Sequence, residues 1–433
     1  MRDETHGPER GPEPSCPARR GIDPGGAARG VAELDKGKSE AQAGAGEPRP
    51  HTGQAQNGGS VPGGKAPGAS GAPAPRNPVP SLAPTPAGWE RPPESGRADV
   101  GDTLYAAIDL GTNNCRLLVA RPTARNFRVV DAFSRIVRLG EGLSQTGRLC
   151  ESAMDRALAA LEVCAAKMEA RGVRRARVIA TEACRSADNG ATFCERVEER
   201  TGLKLEVVDR RTEAGLAAGG CAPLVDPCSE GAVLFDIGGG STEVVWLGRR
   251  SSGDGGPPRG RVRSWVSLPV GVVSLSERHG GVRVSPDVFR AMLDEVTGML
   301  DGVRESWGMR AGGRMHLLGT SGTVTTVAGI YLGLDRYDRG RVDGAWLSSG
   351  QIEGVVSRLM AMSFEERVAN PCIGAQRADL VLAGCAIMEA VRRVFPAERL
   401  RVADRGLREG MLVQLMRADG AWRRETDGGR DKA

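Results

Sequence analysis

No Cys-x-x-Cys pair occurs in this chain although it holds ten cysteines, and histidine is limited to four residues. Two of the four, His6 and His51, fall in the first quarter, so the usual ligand sets for structural zinc are missing. Most of the cysteines sit in apolar or helical surroundings, where a thiol acts as a small hydrophobe, and a reduced, cytoplasmic protein is expected. No apolar run reaches bilayer-spanning length. Met1 is not followed by the apolar core of a secretory signal, and the Arg- and Ser-rich, acid-poor character of an organelle leader is lacking too. Strong charge of one sign is also absent. The net charge is +5 with a pI near 8.7, and acids and bases are interspersed in the tail. That balance is too mild for a nucleic-acid binder and equally compatible with a site for a small polyanion. Neither nucleic acid nor a membrane is expected as a partner.

Residues 1–102 contain little that could build a core. Gly, Pro, Ala and charged residues dominate, and Trp89 is the only aromatic. Such a segment buries too little apolar surface to offset its ordering entropy, so a disordered tail is expected; a start site placed upstream of the true one would produce the same pattern. The folded part begins at Thr103. Strands alternate with helices from there, which predicts α/β packing: a first lobe over 103–228, a second over 229–420, and a frayed C-terminus over 421–433. Expected helices include 151–170, 191–200, one starting at Thr212 as cap, 285–307, 377–394 and 407–417. Residues 182–189 are expected as a loop. Ser348 with Gln351 and Ser363 with Glu366 form capping-box patterns.

What the chain does have is a pair of similar turns. The segment Asp236-Ile237-Gly238-Gly239-Gly240-Ser241-Thr242-Glu243 joins two apolar strands, and Asp109-Leu110-Gly111-Thr112-Asn113-Asn114-Cys115-Arg116 does the same over a hundred residues earlier. Two strand–acid–glycine turns so far apart imply an internal duplication, two lobes each offering a phosphate loop. Consecutive glycines let backbone N–H groups converge on phosphate oxygens. Asp236 beside them is placed to hold a divalent cation, directly or through water. A plain Gly-rich hairpin turn is the simpler alternative. Arg116 and Arg185 follow strand ends, where a guanidinium fork meets phosphate oxygens, although Arg185 also fits a solvated loop. Glu213, after Arg210 and Arg211 at a helix start, suits a water-orienting base or merely complements the helix dipole. Glu243 reads equally as an ordinary strand residue.

These turns, with the TEACRSADN segment at 181–189, the TEA at 212–214, the GTSGT at 319–323 and the DRGLREG at 404–410, resemble the exopolyphosphatase / guanosine pentaphosphatase (Ppx–GppA) family of the sugar kinase–Hsp70–actin superfamily. The likeness spans about residues 103–417, with the blocks in the family's order. It implies a two-lobed, actin-like (ribonuclease H-like) α/β fold with the site in the interlobe cleft. It also implies Mg2+-dependent release of terminal phosphate from inorganic polyphosphate or from guanosine pentaphosphate. The family's catalytic base falls on Glu213 and its second essential glutamate on Glu243. Metal-associated positions fall on Asp236, its counterpart Asp109, and Glu243. Phosphate-binding positions fall on Gly111, Thr112, Asn113, Asn114, Arg116, Arg185, Gly238, Gly239, Gly240 and Ser241. The third block places Gly319, Ser321, Gly322 and Thr323 on phosphate as well.

Two departures stand out. The first loop reads TNN where many members have SNS, and Ser321 replaces a common glycine. The chain also lacks a helical extension after the core, so a short form is expected. The apolar C-terminal helices suit a homodimer. Two other classes share the loops: an ATP-dependent small-molecule kinase, which would carry an Asp acceptor-base where Glu213 stands, and a non-catalytic actin-like protein, which would not need the acids.

Overall fold

The computed structural model describes residues 89–90, 102–248, 260–309 and 314–422, all within one compact unit. Two hairpins, one per lobe, set the architecture. In the first lobe β1 (Trp89–Glu90), β2 (Tyr105–Leu110), β3 (Asn114–Pro122) and β4 (Phe127–Ile136) are followed by α1 (Leu143–Thr146) and α2 (Glu151–Ala170). Then come β5 (Arg175–Ala180), α3 (Glu182–Ser186), α4 (Gly190–Thr201), β6 (Glu206–Val207) and α5 (Arg210–Cys221). The sheet runs β4-β3-β2-β5, with β6 parallel to β5 at one end and β1 antiparallel to it at the other.

In the second lobe β7 (Gly231–Ile237), β8 (Thr242–Gly248) and β9 (Arg261–Leu268) precede α6 (Val272–His279), α7 (Pro286–Met299) and α8 (Val303–Ser306). After them lie β10 (Met315–Thr320), α9 (Gly322–Tyr331), α10 (Arg339–Val342), β11 (Trp346–Ser348), α11 (Ser349–Ala361), α12 (Phe364–Ala369), α13 (Val381–Val394), β12 (Arg399–Ala403) and α14 (Leu407–Ala418). Its sheet runs β9-β8-β7-β10-β12-β11. In both lobes an antiparallel three-strand meander continues into parallel strands, which is the duplicated ribonuclease H-like topology expected from the sequence. Even the bulges correspond. One lies between Val119 and Ala120, the other between Trp246 and Leu247, at the same spacing from Asp109 and Asp236.

Helix α5 links the lobes by burying two faces. Ala214, Ala217, Ala218 and Cys221 recur at helical spacing and pack on the second sheet with Leu234, Val245 and Leu318. Leu216, on another side, joins Tyr105, Leu118 and Ile179 of the first sheet. The same cluster contains Leu407, Met411, Leu412, Leu415 and Met416. Helix α14, expected in the second lobe, therefore returns to the first. Glycines permit that crossing: a methyl at Gly410 would lie 2.0 Å from the Leu216 carbonyl oxygen, and one at Gly220 equally close to that of Gly406.

Other expectations need correction. Residues 182–186 are helical, a turn built from helix-compatible side chains and the Glu182–Arg185 pair one turn apart. The cap of α5 is Asp209, whose side chain accepts from Thr212 N at 2.6 Å, not Thr212 itself. Helix α7 stops at Met299, and the chain turns at Gly302 in the left-handed conformation. Ala421 and Trp422, placed in the frayed end, pack on the first sheet, and the Trp422 indole donates to Thr123 O at 2.8 Å. The tail expected over 1–102 and the end 423–433 lie outside the described residues, apart from 102 and the short strand β1. The two capping boxes form as read.

Candidate active site

Each hairpin carries an acid at the end of its first strand and a charged partner directly across. Asp109 stands opposite Arg116, and Asp236 opposite Glu243. Both turns close the same way: Gly111 N donates to Asn114 O at 2.8 Å, and Gly238 N to Ser241 O at 2.9 Å. The turns face one another across a cavity of about 500 Å3. Their glycines are needed for space, since none of Gly238, Gly239 and Gly240 has a positive φ. A methyl at Gly239 would lie 2.8 Å from Thr112 Cβ and 3.1 Å from Asn113 N. At Gly240 it would lie 2.9 Å from Thr112 Oγ1 and 3.0 Å from Glu182 Cγ. The two loops touch, so side chains there would wedge the cleft open.

Seven carboxylates line this cavity: Glu182, Glu243 and Glu409, which are buried, and Asp109, Glu213, Asp236 and Asp404, which are half-buried in its walls. Desolvation in the cleft pushes Asp236 up to about 6, Arg116 drawing it down and Asp109 adding to the rise. Desolvation, then the Asp236 charge, pushes Glu243 up to about 7, against hydrogen bonds from Ser267 and Ser241. The Ser267 hydroxyl donates to Glu243 Oε1 at 2.9 Å. Asp109 is likewise raised by desolvation. Glu213, at the start of α5, is raised well above the ordinary range by desolvation and by Glu243.

Guanidinium groups face the acids. Arg116, Arg377 and Arg408 line the cavity, and among the described residues their side chains have no hydrogen-bond or ion-pair partner. Desolvation lowers the proton affinity of Arg377 and Arg408, and the nearby charge of Arg116 lowers both further. Guanidinium groups gathered in one cavity with their donors free of direct ion pairs suit the oxygens of a polyanion. Amides complete it. The Asn113 and Asn114 side chains line the cavity, each with a buried Oδ1 that has no hydrogen-bond partner.

Most residues expected at the site meet there: Asp109, Gly111, Thr112, Asn113, Asn114, Arg116, Glu213, Asp236, Gly238, Gly239, Gly240, Ser241, Glu243, Ser321, Gly322 and Thr323. Two do not. Gly319 lies within β10, where a methyl would meet the Phe235 ring at 2.7 Å, so its role is to let the core close. Arg185 stands behind Glu213 instead of on the cavity wall. It donates to Glu213 Oε2 at 3.1 Å, to Val208 O at 2.6 Å and to Glu182 Oε2. Glu182 also accepts from Arg210 at 2.9 Å and Ser186 at 2.7 Å, and these donors hold its carboxyl below the usual range despite burial. Glu182, Arg377 and Arg408 escaped the sequence reading. Arg408 sat inside the DRGLREG block, which is the signal that could have found it.

Beside the loops, where Arg138 N donates to Asn113 O and Val272 N to Gly238 O, side chains clasp the two lobes together. Arg138 pairs with Asp379 at 2.9 Å, and Glu277 accepts from Gly142 N at 2.9 Å and from the Ser144 hydroxyl.

The Ppx/GppA phosphatase family model matches residues 118–419. The chain belongs to the Ppx/GppA phosphatase family. A relative from Photobacterium profundum named guanosine-5'-triphosphate,3'-diphosphate pyrophosphatase is 28% identical over 316 residues, 72% of this chain and 59% of that one. The chain thus spans 59% of the length of that curated relative. The crystal structure of the Aquifex aeolicus member of the Ppx/GppA family matches 73% of this chain and 99% of its own at 29% identity and a TM-score of 0.60. An exopolyphosphatase from Cytophaga hutchinsonii matches 73% and 98% at 24% identity with a TM-score of 0.65, a likeness of fold. The Ppx/GppA match runs from within β3 to just past α14, and so takes in Glu213, the whole second hairpin and Arg408.

Proposed function

We propose that this protein is a phosphohydrolase that removes the terminal phosphate of a linear phosphoanhydride, inorganic polyphosphate or the 5' end of guanosine pentaphosphate. One observation supports the reading above the others: Glu213, a carboxylate of raised proton affinity, shares one cavity with the two glycine turns and with three guanidinium groups that make no hydrogen bond or ion pair among the described residues. The family name and the name of the curated relative agree with it.

In this reading the loop amides of Gly238–Ser241 and Gly111–Asn114 receive the peripheral oxygens of the terminal phosphate. Arg116, Arg377 and Arg408 offset the charge of the anhydride chain. Glu213 accepts the proton of the attacking water, and its raised proton affinity makes it a stronger base near neutral pH. Arg185, held by Glu182 and Val208 O, keeps the Glu213 carboxylate in place.

The donor set fits Mg2+. Asp109, Asp236 and Glu243 are oxygen donors gathered in the cleft in mutual repulsion, and the unpartnered Asn113 and Asn114 carbonyl oxygens add neutral ones. Among the described residues no group of three or more His, Cys, Asp or Glu is arranged to hold a metal by itself. That suits an ion that keeps waters and takes substrate phosphate oxygens alongside one or two carboxylates. When bound by Asp236 and its neighbours, Mg2+ would offset charge on the leaving phosphate.

The test is phosphate release from long-chain polyphosphate and from guanosine pentaphosphate, with Mg2+ present, for the parent and Glu213→Gln. The variant should lose about 10²–10⁴ in kcat with KM little changed. Equal rates for the two proteins would refute the assignment of Glu213.

A further inference from the structure

Among the described residues two that are not glycine have a positive φ, Ser321 at 110° and Arg138 at 48°. Ser321 lines the cavity, whereas Arg138 stands outside it, on the seam between the lobes. A left-handed backbone under a long side chain is uncommon and marks a place that its surroundings hold fixed.

The main chain at Arg138 carries the first glycine turn. Val137 N and Arg138 N both donate to Asn113 O, at 2.9 and 3.1 Å, and Gly140 N donates to Thr112 O at 2.9 Å. A methyl on Gly140 would lie 2.2 Å from Thr112 Cγ2, so this segment is pressed against the turn. From behind, Arg156 of α2 donates to Val137 O at 2.9 Å and pairs with Glu141 at 2.7 Å.

The side chain of Arg138 reaches into the other lobe. Its two terminal nitrogens meet the two Asp379 carboxylate oxygens at 2.9 and 3.0 Å, and one of them donates to Gln376 O at 3.3 Å. Gln376 and Asp379 bracket Arg377, whose guanidinium lies on the cavity wall against Gly322: a methyl on Gly322 would be 3.2 Å from Arg377 Nη1. The bracket is itself anchored. Buried Arg367 donates to Ala378 O at 3.1 Å, and the Ser276 hydroxyl donates to Asp379 O at 3.1 Å. Beside it, Gly142 N donates to Glu277 of α6 at 2.9 Å. The first turn of α6 in turn holds the second glycine turn, Val272 N donating to Gly238 O at 3.0 Å and Val273 N to Gly239 O at 2.8 Å.

We propose that Arg138 is a positioning residue: by clasping the lobes it sets the two glycine turns in register and places Arg377 beside them. A half-buried ion pair by itself contributes little. The two-pronged fork, the added carbonyl contact and the left-handed backbone that aims the side chain set this pair apart. The role in phosphate release rests on the function proposed above, whereas the clasp does not. With the clasp cut, the lobes spend part of their time apart, and only the fraction with both turns in register takes up the anion. Substrate held by both turns restores the register, so the cost falls on KM and spares kcat. A change that merely weakened the fold would do the reverse, removing active protein and lowering kcat at constant KM.

The experiment compares the full chain with Arg138→Asn, Asp379→Ala and the double variant. Asparagine accepts the left-handed backbone, so the guanidinium is removed without adding strain. Each single variant should raise KM for polyphosphate at least fivefold with kcat within twofold of the parent, and the double variant should be no worse than either single one. Hydrogen exchange without substrate, read by mass spectrometry, should quicken in the peptides covering 112–114, 137–142 and 272–273 and stay unchanged in α4. The proposal is overturned by a parental KM, by a loss confined to kcat, by a double variant whose KM rises by the product of the single effects, or by parental exchange in those peptides. Because exchange is read without turnover, a parent that releases no phosphate counts against the proposed function and not against the clasp.

Discussion

Glu213 and Glu243 illustrate how one charge sets the working range of another. Both are shut away from bulk water in the cleft, and the Glu243 charge makes Glu213 harder to ionise, so they titrate as a pair. Catalysis by an ionised Glu213 should therefore show an acid limb in kcat/KM displaced well above the ordinary carboxylate range. Glu243→Gln removes the like charge, and the limb should move toward lower pH in the surviving activity. A limb that stays in place, measured over pH 5–9 with polyphosphate, would separate Glu243 from the titration of the base. Gly239 is a second residue whose role is a matter of distance. Gly239→Ala forces apart two loops that already touch, and a fall of about 10–100-fold in kcat/KM with an unchanged circular dichroism spectrum is expected.

At the level of elements, α5 and α14 form the pair on which both lobes depend. Their backbones meet through Gly220 and Gly410, where a methyl would sit 2.0 Å from a carbonyl oxygen. Gly410→Ala should destabilise by about 1–3 kcal/mol through overpacking, read as a lower denaturation midpoint in urea. Hydrogen exchange should rise first in β2 and α14, because Tyr105, Ala107 and Leu118 share a cluster with Met411 and Leu415. Exchange rising first in α13 of the second lobe would contradict this picture of where α14 belongs. The same geometry couples structure to chemistry, since α5 carries Glu213 on the first turn of a helix that both sheets grip.

For the whole molecule, the enclosed acids make the cleft a source of pH-dependent stability. Asp236 and Glu243 have folded values of about 6 and about 7, above the 3.8 and 4.5 of the free side chains. Between about pH 4 and pH 7 the folded state thus binds more protons than the unfolded one, so stability falls as pH rises through that window. The upper bound is on the order of 3 kcal/mol per group. The opposite trend comes from Glu182, Asp131, Asp209 and Glu295, whose carboxyls are held below the usual range. Their contribution is present above the free-acid value and is lost as pH falls through the folded one, below about pH 4. Calorimetry in metal-free buffer should give a lower Tm at pH 8 than at pH 5.5, and Asp236→Asn should flatten that slope. A Tm that climbs over the interval in the parent would show that these acids are not in repulsion.

The hairpins, their acids and the duplication were readable in the chain itself because strand–turn–strand geometry is local: Asp109 and Arg116, or Asp236 and Glu243, face each other whenever the turn closes. Capping boxes at Ser348 and Ser363 were readable for the same reason. Three things were decided only by contacts between residues far apart in sequence. Arg185 turns away from the cavity because Val208 O, Glu213 and Glu182 take its donors. Gly319 lies off the cavity wall, against the Phe235 ring. Helix α14 crosses to the first lobe because its apolar face fits Tyr105, Leu118 and Leu216, a match of shape that no periodicity encodes. The order of residues determined which groups this protein owns; burial and distance determined which of them face the cleft.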